Sequence, residues 1–253
     1  MHPYHEIGPP DSLRRLVECF WSGGDGRPDH RVLPDGCTDI VFYFQDGRTR
    51  AYAVGAMTQA RVVDGTAIDF LGIRFHPGMS HGMLGVPVSK LTDQVVDLES
   101  LWGKKARDFE EQLANAANES ERIALLAASL PPSPEITPVQ KAIEWVAAVR
   151  GDASIDELSR HVGLSARQFR RLCIEQTGLA PKMLCRIVRF RNTVGQLLQP
   201  GSTSQADLAL DCGYYDQAHF INEFHEFSGL APREYLMSVS SNPTPADPDK
   251  IGS

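Results

Sequence analysis

Three arginines stand at positions 167, 170 and 171 of the 253-residue chain, in a stretch with helical spacing. At about 100° per residue they fall within about 100° of one another, while Phe169, Leu172 and Cys173 fall on the other side. A guanidinium can donate two hydrogen bonds to guanine O6 and N7, and it pairs equally well with phosphate. An ordinary solvated face has the same composition, so the surroundings must decide. From Leu158 to Arg191 there are eight basic residues and one acid, Glu175, for a net charge of +7. Gln168 and Arg186 lie within that stretch and complete the first candidate set. From Asp207 to Glu234 six acids face one base, a net charge of −5. The whole chain carries −7. Any nucleic-acid contact must therefore come from the local basic surface.

The elements that would position these arginines occur twice. Ile155 to Ser165 reads as a short helix, a turn holding Gly163 and a capping residue, followed by a helix that ends at Gly178. Ala206 to Asp216 repeats the arrangement with Gly213 in the turn, and its second helix ends at Gly229. Ser154-Ile155-Asp156-Glu157 and Ser165-Ala166-Arg167-Gln168 have the capping-box form. The two caps, Ser165 and Asp216, are 51 positions apart. Between the units, Pro181 opens a long helix through about Leu198, which Pro200-Gly201 stops. A short helix, a glycine turn and a second helix that enters the major groove is the helix-turn-helix arrangement. Superposing the caps puts Ala218, Ile221 and Asn222 at the three arginine positions. Ala218 and Ile221 offer only apolar contact, for instance to a thymine methyl. Asn222 can hydrogen-bond, and Gln217 beside the cap can reach a base or a phosphate. Phe220, Phe224 and Phe227 form the core stripe of the second unit.

The run Gly213-Tyr214-Tyr215-Asp216-Gln217-Ala218-His219-Phe220, with Phe224, Gly229-Leu230-Ala231-Pro232 and Tyr235 after it, resembles the signature of the AraC/XylS family of transcription regulators. Gly178-Leu179-Ala180-Pro181 is a weaker first copy of the same ending. The resemblance covers about residues 137–237. It implies two helix-turn-helix units joined by one helix and reading adjacent turns of one DNA face. The family commonly has arginine where this chain has Asn222, which weakens base reading by the second unit. The resemblance also implies a first half that senses a ligand or mediates dimerisation. Leu33-Pro34-Asp35-Gly36-Cys37-Thr38-Asp39 and Gly72-Ile73-Arg74-Phe75-His76-Pro77-Gly78 look like the uncharacterised domain in front of some members. The expected partners are duplex DNA, RNA polymerase and a small-molecule effector, with the chain a monomer or homodimer in the cytoplasm.

The first half has a different texture. Asp11 to Phe20 reads as a short helix. Cys37 to Phe44 is rich in β-branched and aromatic residues and precedes Asp46-Gly47, a strand followed by a turn. Ala51 to Val54 and Ala67 to Phe75 read as further strands. Asp64-Gly65 signals a hairpin between Arg61-Val62-Val63 and Ala67 to Phe70. Ala106 to Ala117 and Ser120 to Leu130 read as helices. The joint, Leu130 to Pro138, holds four of the 17 prolines and reads as an extended linker. The fold class is α+β: a small, barrel-like antiparallel β domain with helices, then an all-α domain. The boundaries fall at 1–130, 131–138 for the linker, 139–238 for the DNA-binding domain and 239–253 for a disordered tail.

Asp39, Arg74 and His76 are polar residues in or beside strands. They are candidates for an effector pocket, with Arg74 as anchor for a carboxylate or phosphate. A structural ion pair of Arg74 with Asp39 or Asp69 is the alternative, as is a satisfied core histidine. The histidine spacings lack an adjacent carboxylate set, so no metal is expected. The chain shows no GxSxG, P-loop or GxGxxG, and no cofactor or catalytic residue is assigned. An enzyme-like first half fused to a DNA-binding module is the runner-up. Five scattered cysteines without a CxxC suggest neither a disulfide framework nor a zinc site. No apolar run is long enough to span a membrane.

Overall fold

The computed structural model describes residues 4–24, 30–63, 69–132, 135–199 and 204–241. The first half is built on strands β1 (His5–Ile7), β2 (Val17–Gly23), β3 (His30–Val32), β4 (Thr38–Gln45), β5 (Arg48–Val54), β6 (Arg61–Val63), β7 (Asp69–Phe75) and β8 (Val95–Asp97). Six strands form one antiparallel sheet in the order β1-β2-β7-β4-β5-β8, and β3 pairs with β6 in a separate ribbon. Period-two alternation gives the sheet two unlike faces. Phe20, Ile40, Phe42, Ala51, Ala53, Leu71, Ile73 and Phe75 point into a core completed by Leu98, Ala106, Leu113 and Leu126. Those last four come from α1 (Leu98–Trp102), α2 (Lys104–Asn115) and α3 (Glu119–Ser129).

One local expectation is overturned here. Asp11 to Phe20 is no helix: one 3-10 turn at Asp11–Leu13 gives way to β2. Val17, Cys19, Phe20 and Trp21 are strand formers, and pairing with β7 over most of their length outweighs local helical periodicity. Asp64-Gly65, the expected hairpin turn, lies outside the described residues. Among the described residues β6 pairs with β3, and β7 pairs with β2 and β4.

The second half is helical: α4 (Pro138–Ala148), α5 (Ile155–His161), α6 (Ala166–Thr177), α7 (Pro181–Leu198), α8 (Gln205–Asp211), α9 (Gln217–Ser228) and α10 (Pro232–Ser241). Thr137 caps α4 in a full capping box with Gln140, and Pro138 occupies the first turn. α10 runs past Val239, where a tail was expected, and residues 242–253 lie outside the described residues. Phe169, Phe190, Phe220, Phe224 and Phe227 centre the helical core. Leu33 and Ala56 of the first half enter that same core, so the halves are docked and not merely tethered.

Candidate nucleic-acid interface

Both units are held by matching hydrogen bonds. In the first, the turn closes by Gly163 N to Arg160 O (3.2 Å) and Leu164 N to Ser159 O (2.9 Å); in the second, by Gly213 N to Leu210 O (3.0 Å) and Tyr214 N to Ala209 O (2.9 Å). Gly163 and Gly213 have φ of +69° and +75°, a region that costs any residue with a Cβ. Ser165 Oγ accepts Gln168 N, and Asp216 Oδ1 accepts His219 N at 2.7 Å. At the far ends Thr177 Oγ1 donates to Cys173 O and accepts Leu179 N, while Ser228 Oγ donates to Phe224 O and accepts Leu230 N. Leu164 and Tyr214 are fifty positions apart, but Ser165 and Asp216, and Thr177 and Ser228, are fifty-one apart. The second turn therefore holds one extra residue. Tyr215 fills it with 87% of its surface exposed.

The surfaces of the two second helices differ. On α6, Arg167, Arg170 and Arg171 are exposed while Phe169 and Cys173 are buried, so the arginines share the open side. Arg171 is paired to Glu175 at 3.2 Å, one turn on. Arg167 and Arg170 have no ion-pair partner among the described residues. Gln168 is exposed, but its Oε1 accepts both Ser165 N (3.2 Å) and Ser165 Oγ (2.8 Å), which turns it back to the cap. On α9, Gln217, Ala218 and Asn222 are exposed, and Gln217 Nε2 reaches Gln205 Oε1 at 3.4 Å. Ile221 is half-buried against the helical core.

Arg186 is paired within the fold. Its guanidinium leaves the arginine face and lies on the seam between α7 and α9, with Nε 2.7 Å from Glu223 Oε2 and Nη2 2.5 Å from Glu226 Oε2. Arg189 joins it, with Nη2 2.9 Å from Glu223 Oε1 and 3.0 Å from Oε2. Glu223 is only 3% exposed. The two guanidiniums lie over Phe227 and Tyr214, each 4.9 Å from the ring centroid. A buried carboxylate must be paired, and here two cations of the linker helix pair it. Opposite charges that are remote in sequence thus meet in space, and Arg186 is taken up by the fold.

In the first half, strand register sets Arg74 on β7 between Cys19 on β2 and Asp39 on β4. Arg74 Nε lies 3.2 Å from Asp39 Oδ1 and 3.6 Å from Asp35 Oδ2. Asp69, the other partner considered for Arg74, is exposed at the start of β7. Burial pushes the Asp39 carboxyl up to about 6, against the pull of Arg74, and the neighbouring Asp35 adds to the rise. His76 stands apart, its Nε2 3.1 Å from Arg14 O. The five cysteines are free and buried, and burial raises the Cys37 thiol well above its ordinary range. Among the described residues no group of histidines, cysteines and carboxylates is placed to hold a metal, and no helix is long and apolar enough to cross a membrane.

Residues 158–238 match a family of helix-turn-helix domains. The second half is an AraC-type helix-turn-helix domain. Residues 5–97 match a domain of unknown function (DUF6597). The chain is 29% identical over 117 residues to the HTH-type transcriptional regulator ArgR of Pseudomonas aeruginosa, a match covering 46% of this chain and 35% of that protein. It is 34% identical over 86 residues to the HTH-type transcriptional activator RhaS of Shigella boydii, covering 34% and 29% of the two chains. The chain thus spans about a third of the length of the curated relatives it matches. Among solved structures, an AraC-type transcriptional regulator from Chromobacterium violaceum is 24% identical, with 42% of this chain and 94% of that one covered and a TM-score of 0.39.

Proposed function

We propose that the chain is a transcription regulator that reads duplex DNA through α6 and α9, with α6 dominant. The observation that carries this is the pair of arginines, Arg167 and Arg170, on the open face of a capped second helix, with no ion-pair partner among the described residues. They are the groups left over once the fold has used Arg186 and Arg189. Arg171, half-committed to Glu175, contacts the backbone. Gln168, Gln217, Ala218, Ile221 and Asn222 complete the reading surface, the last four supplying apolar or neutral polar contact. Residues 139–238 form the reading domain, and residues 1–130 the sensing domain that 131–138 joins to it. The relatives carry the names of transcription regulators, which favours regulation over chemistry in the whole chain.

The test is selection of duplexes from a random library by the full chain, followed by binding across a salt series. The affinity should fall steeply with salt, by about 0.9 log unit per log unit for each phosphate contacted. The double variant Arg167→Ala/Arg170→Ala should flatten that slope. An unselective pool, or a slope unmoved by the double variant, overturns the reading. In the sensing half, Asp39 and Arg74 are the candidate effector contacts, and the separate His76 is a weaker third. Arg74→Ala with a normal melting temperature and lost effector response supports a pocket role. A large fall in melting temperature assigns the pair to the fold.

A further inference from the structure

Three hydrogen bonds dock the first half on the ends of α6 and α9. Thr92 Oγ1 donates to Gly178 O, at the end of α6, at 2.8 Å. Two bonds reach the equivalent end of α9: Ala60 N to Phe227 O at 2.7 Å and Arg31 Nη1 to Ser228 O at 2.8 Å. The fit is close. A Cβ at Gly178 would lie 2.7 Å from Thr92 Oγ1, and one at Gly229 would lie 3.1 Å from Arg31 Nη1. These anchors come from separate stretches of chain, and Asp93 joins them. Its carboxylate accepts Thr58 N and Thr58 Oγ1, both at 2.7 Å. Its carbonyl accepts Arg61 Nη2 at 2.8 Å, and its N–H donates to Ala56 O at 3.1 Å. Thr92 directly precedes it, and Ala60 lies between Thr58 and Arg61. Arg61 in turn pairs with Val32, next to Arg31 on the ribbon. Asp93 holds a φ of +58°, which a side chain rarely adopts unless its surroundings enforce it.

We propose that Asp93 is a positioning residue for DNA reading, joining the anchors into a yoke that fixes the end of α6 relative to the end of α9. The proposal rests on the reading of both helices as DNA readers. The α7 seam grips α9 through the side chains of Glu223 and Glu226, five and two residues before the end of that helix. Those holds tie α9 to α7 alone, and the bonds to Phe227 O and Ser228 O tie its end to the same strap of chain that holds the end of α6. A two-unit reader needs that constraint because successive half-sites on a duplex have a fixed separation and angle. Gly55 N bonds Gln94 O at 3.1 Å beside the β5–β8 pairing, so the yoke is also continuous with the large sheet.

Asp93→Gly removes the carboxylate and keeps the backbone conformation, since glycine takes positive φ freely. Asp93 is exposed, so the change opens no core. Thr92→Val removes the hydroxyl anchor of α6 alone and decides the matter if Asp93→Gly fails to fold. In the full chain without DNA, spin labels on Arg171→Cys and His225→Cys read the α6–α9 distance. The native cysteines are buried and escape labelling. Both variants should broaden the distance distribution while the helical circular dichroism stays unchanged. A second arm offers a duplex selected by the wild-type chain, at its native spacing and with one base pair inserted between half-sites. The discrimination between the two should fall by about fivefold or more in the variants, the low end of ordinary coupling between sites. An unchanged distance distribution, or equal weakening at both spacings, overturns the yoke. If no duplex is selected, the DNA reading itself fails, and the distance distribution alone still decides the yoke.

Discussion

The two helix-turn-helix units share a skeleton and differ in what they leave exposed. Each closes its turn on a left-handed glycine, caps its second helix with a side-chain oxygen and ends it with a hydroxyl that bridges two turns. The first unit leaves Arg167 and Arg170 without ion-pair partners among the described residues. The second turns Glu223 inward to bind arginines of α7, and it shows Gln217, Ala218 and Asn222 outward. A duplicated fold therefore separates stability from recognition. Positions that make the skeleton match in both copies, and positions free of it have diverged.

The comparison is sharpest where the copies should behave alike. Phe169 and Phe220 are 51 positions apart and fully buried, at 1% and 0% exposure. Replacing either with alanine should cost about 3–5 kcal/mol, through lost transfer free energy and the cavity left behind. Denaturant unfolding of the two variants checks this. A cost below about 1 kcal/mol at either site would show that the unit there is not packed as described.

The next effect belongs to the second unit alone. Glu223→Ala leaves Arg186 and Arg189 facing one another without the buried carboxylate that pairs them. Breaking a buried ion pair by removing one partner should cost about 3 kcal/mol. The equivalent position in the first unit, Leu172, is an apolar residue packed against the helical core, and Leu172→Ala should cost about 2 kcal/mol through packing alone. Double-mutant cycles of Glu223 with Arg189 separate the pair energy from the packing. A coupling near zero would break the claim that the seam holds α7 to α9.

Recognition should then divide the units in the other direction. Arg170→Ala should weaken binding to the selected duplex by about 1–3 kcal/mol at fixed salt and relax preference at one base pair. Asn222→Ala should cost less than about 1 kcal/mol, because a single exposed neutral hydrogen bond exchanges readily with water. An equal or larger loss from Asn222→Ala would reverse the ranking of the readers.

The helical half was legible because its signals are local. Ser154, Ser165, Pro181 and Gly178 each act within one turn of chain, and the observed helices start and stop at them. The sheet was less legible because its pairings are remote. Residues 17–20 carry helical periodicity yet belong to β2, and β6 finds its partner in β3, some thirty residues away. Charge was legible as a total and not as a surface. The net +7 of the first unit and linker helix and the −5 of the second unit are correct sums, yet Arg186 and Arg189 cancel Glu223 and Glu226 across the α7–α9 seam. Arg74 was weighed as an anchor or an ion-pair partner, and register places it beside Asp39. No pattern in sequence gave Asp35 as its second carboxylate.

The smallest contrast lies in the caps. Ser165→Ala removes the oxygen that accepts Gln168 N and should cost about 1 kcal/mol. Asp216→Ala removes an equivalent bond, made at 2.7 Å to His219 N, and also a negative charge at the positive end of α9. The charge should add about 0.3–1 kcal/mol at low salt, so Asp216→Ala is the costlier change. The bond is short-ranged and insensitive to salt, whereas the interaction of an exposed carboxylate with the helix dipole is screened. Raising the ionic strength should therefore bring the two variants together, with the Ser165→Ala cost nearly constant and the Asp216→Ala cost falling toward it. Thermal unfolding of both variants across a salt series measures the gap. A gap that stays constant with salt would mean that the extra cost of Asp216→Ala comes from local packing around Tyr215 and His219 and not from the helix dipole.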